Sequence, residues 1–200
     1  MRWLLLFSIL IAIVPASAQG SNSDRARDSE EPKLPVIDEN ACPFEGCTFG
    51  AWTVTKESSL YSTWQEGRTQ TGKLEAGAKV TGVTGVHITR KPDRILVKKA
   101  IADLSVVPGD VILRYMSIGE GFANIWTRGA WHKEYDCTFV SERSGGGCLR
   151  DCAAVVVEDG VKEWWVHVKT GDGKIGWVLD ADNFAGIDSL ARVEAPAVVH

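Results

Sequence analysis

The sequence lacks the short motifs that mark several common catalytic centres. It contains no Gly-x-Ser-x-Gly nucleophile elbow, no His-Glu-x-x-His metal motif and no glycine-rich phosphate loop that ends in lysine. The hydrolase, metalloprotease and nucleotide-binding classes that depend on these motifs are therefore not indicated.

Excess positive charge and long apolar segments are also missing. Lys and Arg number 22 against 26 Asp and Glu, a net charge of −4, so neither a nucleic acid nor an anionic membrane is an expected partner. The one long apolar run, Trp3 to Val14, is too short for a hydrocarbon core of about 30 Å. Because Pro15-Ala16-Ser17-Ala18 follows it, we interpret residues 1–18 as a signal peptide cleaved after Ala18. The mature chain is expected to be secreted or periplasmic, with no membrane span.

Short runs with β-like alternation dominate the rest of the chain. They are separated by Gly, Pro, Asp and Asn, which predicts a mostly-β fold, a small barrel or sandwich. Helix is indicated only weakly, at Lys98 to Leu104 and from a cap at Asp182 through Leu190. Residues 19–40 are polar and are expected to form a disordered leader, and residues 191–200 a loose tail.

Five cysteines fall in the mature chain, and an oxidising compartment favours disulfides. Cys42 and Cys47 are expected to close a local loop through Pro43 and Gly46. Cys137, Cys148 and Cys152 leave one odd thiol, and Cys137 could pair with either of the other two. The spacings do not match zinc ribbons, so no metal site and no cofactor are expected.

Two segments of the chain have the same spacing of apolar residues around a glycine, and a third segment resembles part of a known domain family. Leu74-x-x-Gly77-x-x-Val80 matches Val106-x-x-Gly109-x-x-Ile112. The stretch Trp165 to Val178, with its Asp172-Gly173 turn and Gly176-Trp177-Val178, resembles the closing strands of bacterial SH3-like (SH3b) domains.

The resemblance implies one elaborated SH3-like barrel, or two modules that are interleaved or in tandem. Residues 58–89 look like an opening half, and residues 119–131 look like a second, less regular closing half. We expect a first module at 41–105 and a second at 106–190, with a cysteine-containing insertion at 133–160.

A binding surface is predicted on one face of the strand Trp164 to Lys169. Strand alternation places Trp164, Val166 and Val168 on a core face, and Trp165, His167 and Lys169 on the other. An alternative is that Trp165 packs under the cysteine insertion. Further aromatic residues extend the predicted ligand surface: Tyr115, Trp126, Trp131 and Tyr135. His132, next to Trp131, is expected to be an exposed loop residue.

The resemblance implies a non-catalytic module that binds peptidoglycan or an envelope peptide or protein. A secreted, disulfide-stabilised inhibitor or adaptor for another protein is the alternative. A third hypothesis is a hydrolase built around Glu120 or Cys137.

Overall fold

Fourteen strands and one short 3₁₀ helix build the protein in a computed structural model, which describes residues 30–179 and 181–190. The strands are β1 (Val36–Glu39), β2 (Ala51–Val54), β3 (Ser58–Tyr61), β4 (Gln70–Leu74), β5 (Lys79–Lys91), β6 (Asp93–Val97), β7 (Val111–Gly119), β8 (Phe122–Thr127), β9 (Ala130–Asp136), β10 (Val140–Ser141), β11 (Ala154–Glu158), β12 (Val161–Thr170), β13 (Ile175–Leu179) and β14 (Phe184–Ala185). The expected mostly-β fold is confirmed.

The strands form two curled half-barrel sheets that are interleaved along the chain. The first sheet has the order β14-β2-β5-β12-β13-β3-β4, with β1 added to β5, and the second has the order β10-β11-β6-β7-β8-β9. The chain leaves the first sheet after β5, builds the whole second sheet, and returns through Gly160 into β12. The second sheet is therefore an insertion between two adjacent strands of the first.

This nesting differs from the expected sequential division of the chain. Position 105/106 does not separate the sheets, because β12 and β13 of the expected second module pair with β5 and β3 of the first. Residues 133–160 are not an isolated insertion either, since they contain part of β9 together with β10 and β11 of the second sheet.

The repeated spacing corresponds to a repeated turn. Gly77 and Gly109 both have positive φ angles, 86° and 97°, which glycine adopts without strain. Each glycine amide donates a hydrogen bond to the last valine of an earlier strand, Gly77 to Val54 (2.8 Å) and Gly109 to Val97 (3.0 Å). The same local pattern thus begins β5 in one sheet and β7 in the other.

Each sheet has its own apolar core. The first is built around Trp52, whose ring fills the space that a Cβ on Gly82 would need. The second core contains Ile95, Ile125 and the thiol of Cys137. The disulfide loop Cys42–Cys47 packs against the first core.

A buried group of charges joins the two sheets where the chain crosses between them. Asp93, 6% exposed, accepts hydrogen bonds from Arg114 Nε (2.7 Å), Lys162 Nζ (2.6 Å) and the Gly160 amide (2.7 Å). Arg114 also donates to Glu142 (2.9 Å). We call these five residues the junction network.

Opposing effects act on the ionisation of this network. Burial raises the pKa of Asp93, but Lys162, Gly160 and Arg114 outweigh that effect and hold the pKa below its usual value. Burial lowers the pKa of Lys162, although Asp93 favours its charged form. Two strands from different sheets, β6 and β12, are thereby held at one carboxylate.

The predicted leader is wrong over residues 36–39. Strand β1 pairs antiparallel with β5, from Val36 opposite Thr89 to Glu39 opposite Val86. Since β2 pairs with β5 only at residues 79–81, the rest of that edge is open for a second strand. The signal peptide at 1–18, the leader up to residue 29 and the tail at 191–200 lie outside the described residues.

The local disulfide was predicted correctly, and the second pairing was not. Cys42 and Cys47 are bonded, with Cα atoms 5.5 Å apart. Cys148 bonds to Cys152 across a tight turn, with Cα atoms 5.6 Å apart, and Cys137 is the free thiol. Cys137 pairs with neither because its side chain lies in the second core, which its sequence position did not reveal.

The two weak helix predictions are also wrong. Residues 101–106 form a tight turn closed by a bridge between Ile101 and Val106. In place of a helix from Asp182 through Leu190, the described residues 181–190 contain only the three-residue 3₁₀ helix Ala181–Asn183, because Phe184 pairs with β2 and buries its ring 5.3 Å from that of Trp52.

Candidate functional site

A group of partly exposed aromatic rings lies on the hairpin formed by β12 and β13. His167 and Trp177 are direct cross-strand partners, and their rings stack with centroids 4.8 Å apart. Trp64, from the loop between β3 and β4, approaches Trp177 edge-on at 6.5 Å. We call Trp64, His167 and Trp177 the first aromatic cluster.

Trp165 belongs to a small buried group against which Trp64 and Trp177 pack. Its side chain is 1% exposed, so its expected place on a free ligand-binding face is corrected to the core. The Tyr61 ring meets it edge-on at 5.7 Å, and the Arg68 guanidinium lies 4.4 Å from its centroid. Trp165 is covered by the β3–β4 hairpin rather than by the cysteine insertion.

Both tryptophans of the Trp164-Trp165 pair are buried because this strand is covered on both faces. Trp164 packs in the first core and donates from Nε1 to the carbonyl of Ala41 (3.0 Å). Trp165 faces the opposite side and donates from Nε1 to Glu163 (2.8 Å). Strand alternation separated the two rings correctly, but it could not show that a hairpin 100 residues earlier covers the second face.

Charges around the first aromatic cluster are fixed by local partners. Arg68 donates to the carbonyls of Trp64 and Gln65 (3.4 and 3.2 Å), which holds its cation above Trp165. The hydrogen bond from Arg90 is the main reason that the pKa of Glu163 is lowered. Burial lowers the pKa of His167 from 6.5, so a neutral imidazole stacks on Trp177 at neutral pH.

Lys169 lies beyond the first aromatic cluster. It is exposed near the end of β12 and lines a cavity of about 500 Å³ with Ala51, Lys79 and Thr81. Of Trp165, His167 and Lys169, which were predicted to share one face of the strand, only His167 belongs to the first aromatic cluster.

Three other predicted site residues form a group on the second sheet. Trp126 and Trp131 are cross-strand partners on β8 and β9, with centroids 5.6 Å apart, and the buried Tyr115 lies 4.7 Å from Trp131. We call these residues the second aromatic cluster. Burial is the main cause that raises the pKa of Tyr115 to about 12. Each sheet thus has a hairpin with an aromatic cross-strand pair.

Tyr135 and His132 lie further along β9 and do not extend either cluster. The Tyr135 hydroxyl donates to Asp103, and its ring packs near Phe139. His132 lies within β9 and is half-buried, with its ring 5.9 Å from that of Tyr135, so the prediction of an exposed loop residue is corrected.

The two residues proposed for hydrolysis have distinct surroundings. Burial raises the pKa of the Cys137 thiol to about 11, which disfavours the thiolate that a nucleophile requires. Glu120 occupies the β7–β8 turn with a φ of 49° and faces Glu45. Loss of hydration and the charge of Glu120 raise the pKa of Glu45.

The sequence reasoning overlooked Trp64, Arg68 and Trp177 as site residues. Trp64 stands among Ser, Thr, Gln, Glu and Gly in a segment with no apolar neighbours of its own. A large ring in such a turn needs a packing partner or a ligand, and that was the available indication.

Comparison of the chain with protein-family models, with curated proteins and with solved structures finds no match. Within residues 30–179 and 181–190, no helix has the length and hydropathy to cross a membrane. No group of three or more His, Cys, Asp or Glu in the described part of the chain is arranged to hold a metal ion.

Proposed function

We propose that this protein is a secreted, non-catalytic SH3-like module of the cell envelope that binds peptidoglycan or an envelope peptide. The observation that supports it most directly is the first aromatic cluster. Three partly exposed rings from two structural elements lie together on one surface.

This arrangement suits the binding of a chain-like ligand. Aromatic rings offer a large contact area with few rotatable bonds, and tryptophan is enriched among residues that dominate binding energy. Because Trp64 and Trp177 pack against the buried group that contains Trp165, and Arg68 donates to the Trp64 carbonyl, little ordering is needed when a ligand arrives. The cluster therefore fits a sugar face or an extended peptide.

Secretion is supported by the cysteines as well as by the N-terminal segment. Two disulfides between cysteines five and four positions apart in the sequence suit an oxidising compartment. The resemblance to bacterial SH3-like domains rests on the sequence of the β12–β13 hairpin, with its Asp172-Gly173 turn and Gly176-Trp177-Val178.

One observation favours a protein ligand instead. Leu149 is 78% exposed inside the loop closed by Cys148 and Cys152. An apolar side chain on a short, cross-linked loop is suited to insertion into a partner's pocket, as an inhibitor or adaptor would require.

Pelleting with purified peptidoglycan sacculi tests the proposal. The mature wild-type chain, residues 19–200, is expected to co-sediment, and Trp177→Ala is expected to bind about 30-fold more weakly, the effect of losing about 2 kcal/mol at a binding hot spot. Trp64→Ala should also weaken binding. Ile175→Ala, at an exposed position on the same strand, is the control and should bind like the wild type.

Sedimentation that is unchanged in both tryptophan variants would refute the assignment of the first aromatic cluster. If the wild type does not sediment but forms a one-to-one complex with an envelope hydrolase that Leu149→Ala weakens, the inhibitor function replaces the proposal.

A further inference from the structure

The segment before β1 lies against the second sheet. Residues 30–35, which we call the strap, have the sequence Glu-Glu-Pro-Lys-Leu-Pro. Glu30 and Glu31 line a cavity of about 420 Å³ together with Trp126 of the second aromatic cluster. Glu31 also acts electrostatically on Tyr115 of the same cluster. The strap therefore lies beside one end of this cluster.

The charges of the strap and of the sheet beneath it are complementary. The same cavity is also lined by Arg94 and Arg128, and Asp110 is the one lining carboxylate besides the two glutamates. Arg128 lies 3.5 Å from Asp110, and Arg94 lies 3.8 Å from Glu158 at the edge of β11. Both guanidinium groups remain more than two-fifths exposed, so further carboxylates can reach them.

The strap is held by few contacts of its own. Five of its six residues are exposed, among them Leu34, and only Pro32 is half-buried. Its attachment comes from the next residues, where β1 pairs with β5 and Asp38 lies 3.7 Å from Lys133. A segment with so little buried surface can detach locally while β1 stays in place.

We propose that the strap is a displaceable occupant of a second binding face, and that this face takes extended peptides that carry carboxylates. The face consists of the partly exposed Trp126 and Trp131 of the second aromatic cluster and the arginines Arg94 and Arg128. It lies on the second sheet, apart from the first aromatic cluster, and does not depend on the proposed function. The strap competes with such a peptide because its attachment through β1 gives it a high effective concentration.

A soluble peptide with the sequence of residues 30–35, labelled with a fluorophore, is the probe. Fluorescence anisotropy compares its binding to the mature wild-type chain and to the same chain with Glu30→Lys and Glu31→Lys. Reversing these two exposed charges should release the strap, so that the peptide binds the variant at least tenfold more tightly. A control peptide with glutamine at both glutamate positions should bind neither protein.

Substitution of Arg128 provides the second comparison. Arg128→Glu, added to the strap variant, should abolish binding of the acidic peptide, whereas Arg128→Lys should retain it. If circular dichroism shows that the Arg128→Glu variant is unfolded, Arg94→Gln takes its place in the comparison.

Equal affinity of the acidic peptide for the wild type and the strap variant would overturn the displaceable strap. Equal affinity of the acidic and neutral peptides would overturn the assigned ligand class, as would binding that is indifferent to both arginine substitutions. Failure of sacculi to bind the protein has no bearing on any of these results.

Discussion

Replacing Asp93 by Ala is expected to lower the free energy of unfolding by about 3–5 kcal/mol, the typical cost of removing one partner from a buried ion pair. Asp93 is the carboxylate that Lys162 and Arg114 share, and it also accepts from the Gly160 amide. Its loss leaves a partly buried ammonium without its partner at the crossing between the sheets. Urea denaturation of the mature chain measures the change.

An exposed ion pair is the control for this prediction. Glu57→Ala removes a pair with Lys73 in which both side chains are about half exposed, and should cost at most about 1 kcal/mol. Equal effects of the two substitutions would contradict the structural role of the junction network.

The same variant has a predicted pH signature. Because the pKa of Asp93 is lower in the folded chain than its usual 3.8, its contribution is present above about pH 4 and is lost as the pH falls through the folded-state pKa. The difference in unfolding free energy between wild type and Asp93→Ala should therefore shrink in acid. A difference that grows in acid would contradict the lowered pKa of Asp93 in the folded chain.

Trp165→Ala is expected to have the second large effect, a loss of about 3–5 kcal/mol in the free energy of unfolding. The ring is buried between Tyr61 and the Arg68 guanidinium, and its removal leaves a cavity under the first aromatic cluster. Trp165→Phe, which keeps most of the apolar volume, should cost less. Urea denaturation measures both variants.

Sedimentation of the Trp165→Ala and Trp177→Ala variants distinguishes a residue that packs beside the binding surface from one that contacts the ligand. Trp165→Ala should lose sedimentation with sacculi only as far as it loses folded structure, whereas Trp177→Ala should lose it while folded. A fully stable Trp165→Ala chain that no longer binds would show that the ring itself contacts ligand.

Local features of the fold could be predicted from the sequence. The positive-φ glycines of the repeat, the Cys42–Cys47 loop and the hairpin from Trp165 to Val178 each depend on residues within a few positions of one another. Side-chain alternation also placed Val166 and Val168 in the core.

Long-range features could not be predicted in the same way. Strand β12 pairs with β5, which ended 70 residues earlier, and nothing in either strand specifies that a whole sheet is inserted between them. The burial of Trp165 depends on the distant β3–β4 hairpin. Cys137 forms no disulfide because its side chain lies in the second core. A single sequence shows which residues favour strands, but it does not show which strand covers which face.

Nuclear magnetic resonance of the tryptophan indoles tests the central claim most directly. In ¹⁵N-labelled mature protein, soluble peptidoglycan fragments released from sacculi should shift the indole resonances of Trp64 and Trp177 and leave those of Trp52, Trp126 and Trp164 in place. Shifts confined to Trp126 and Trp131, or no indole shift at saturating fragment, would contradict the assignment of ligand binding to the first aromatic cluster.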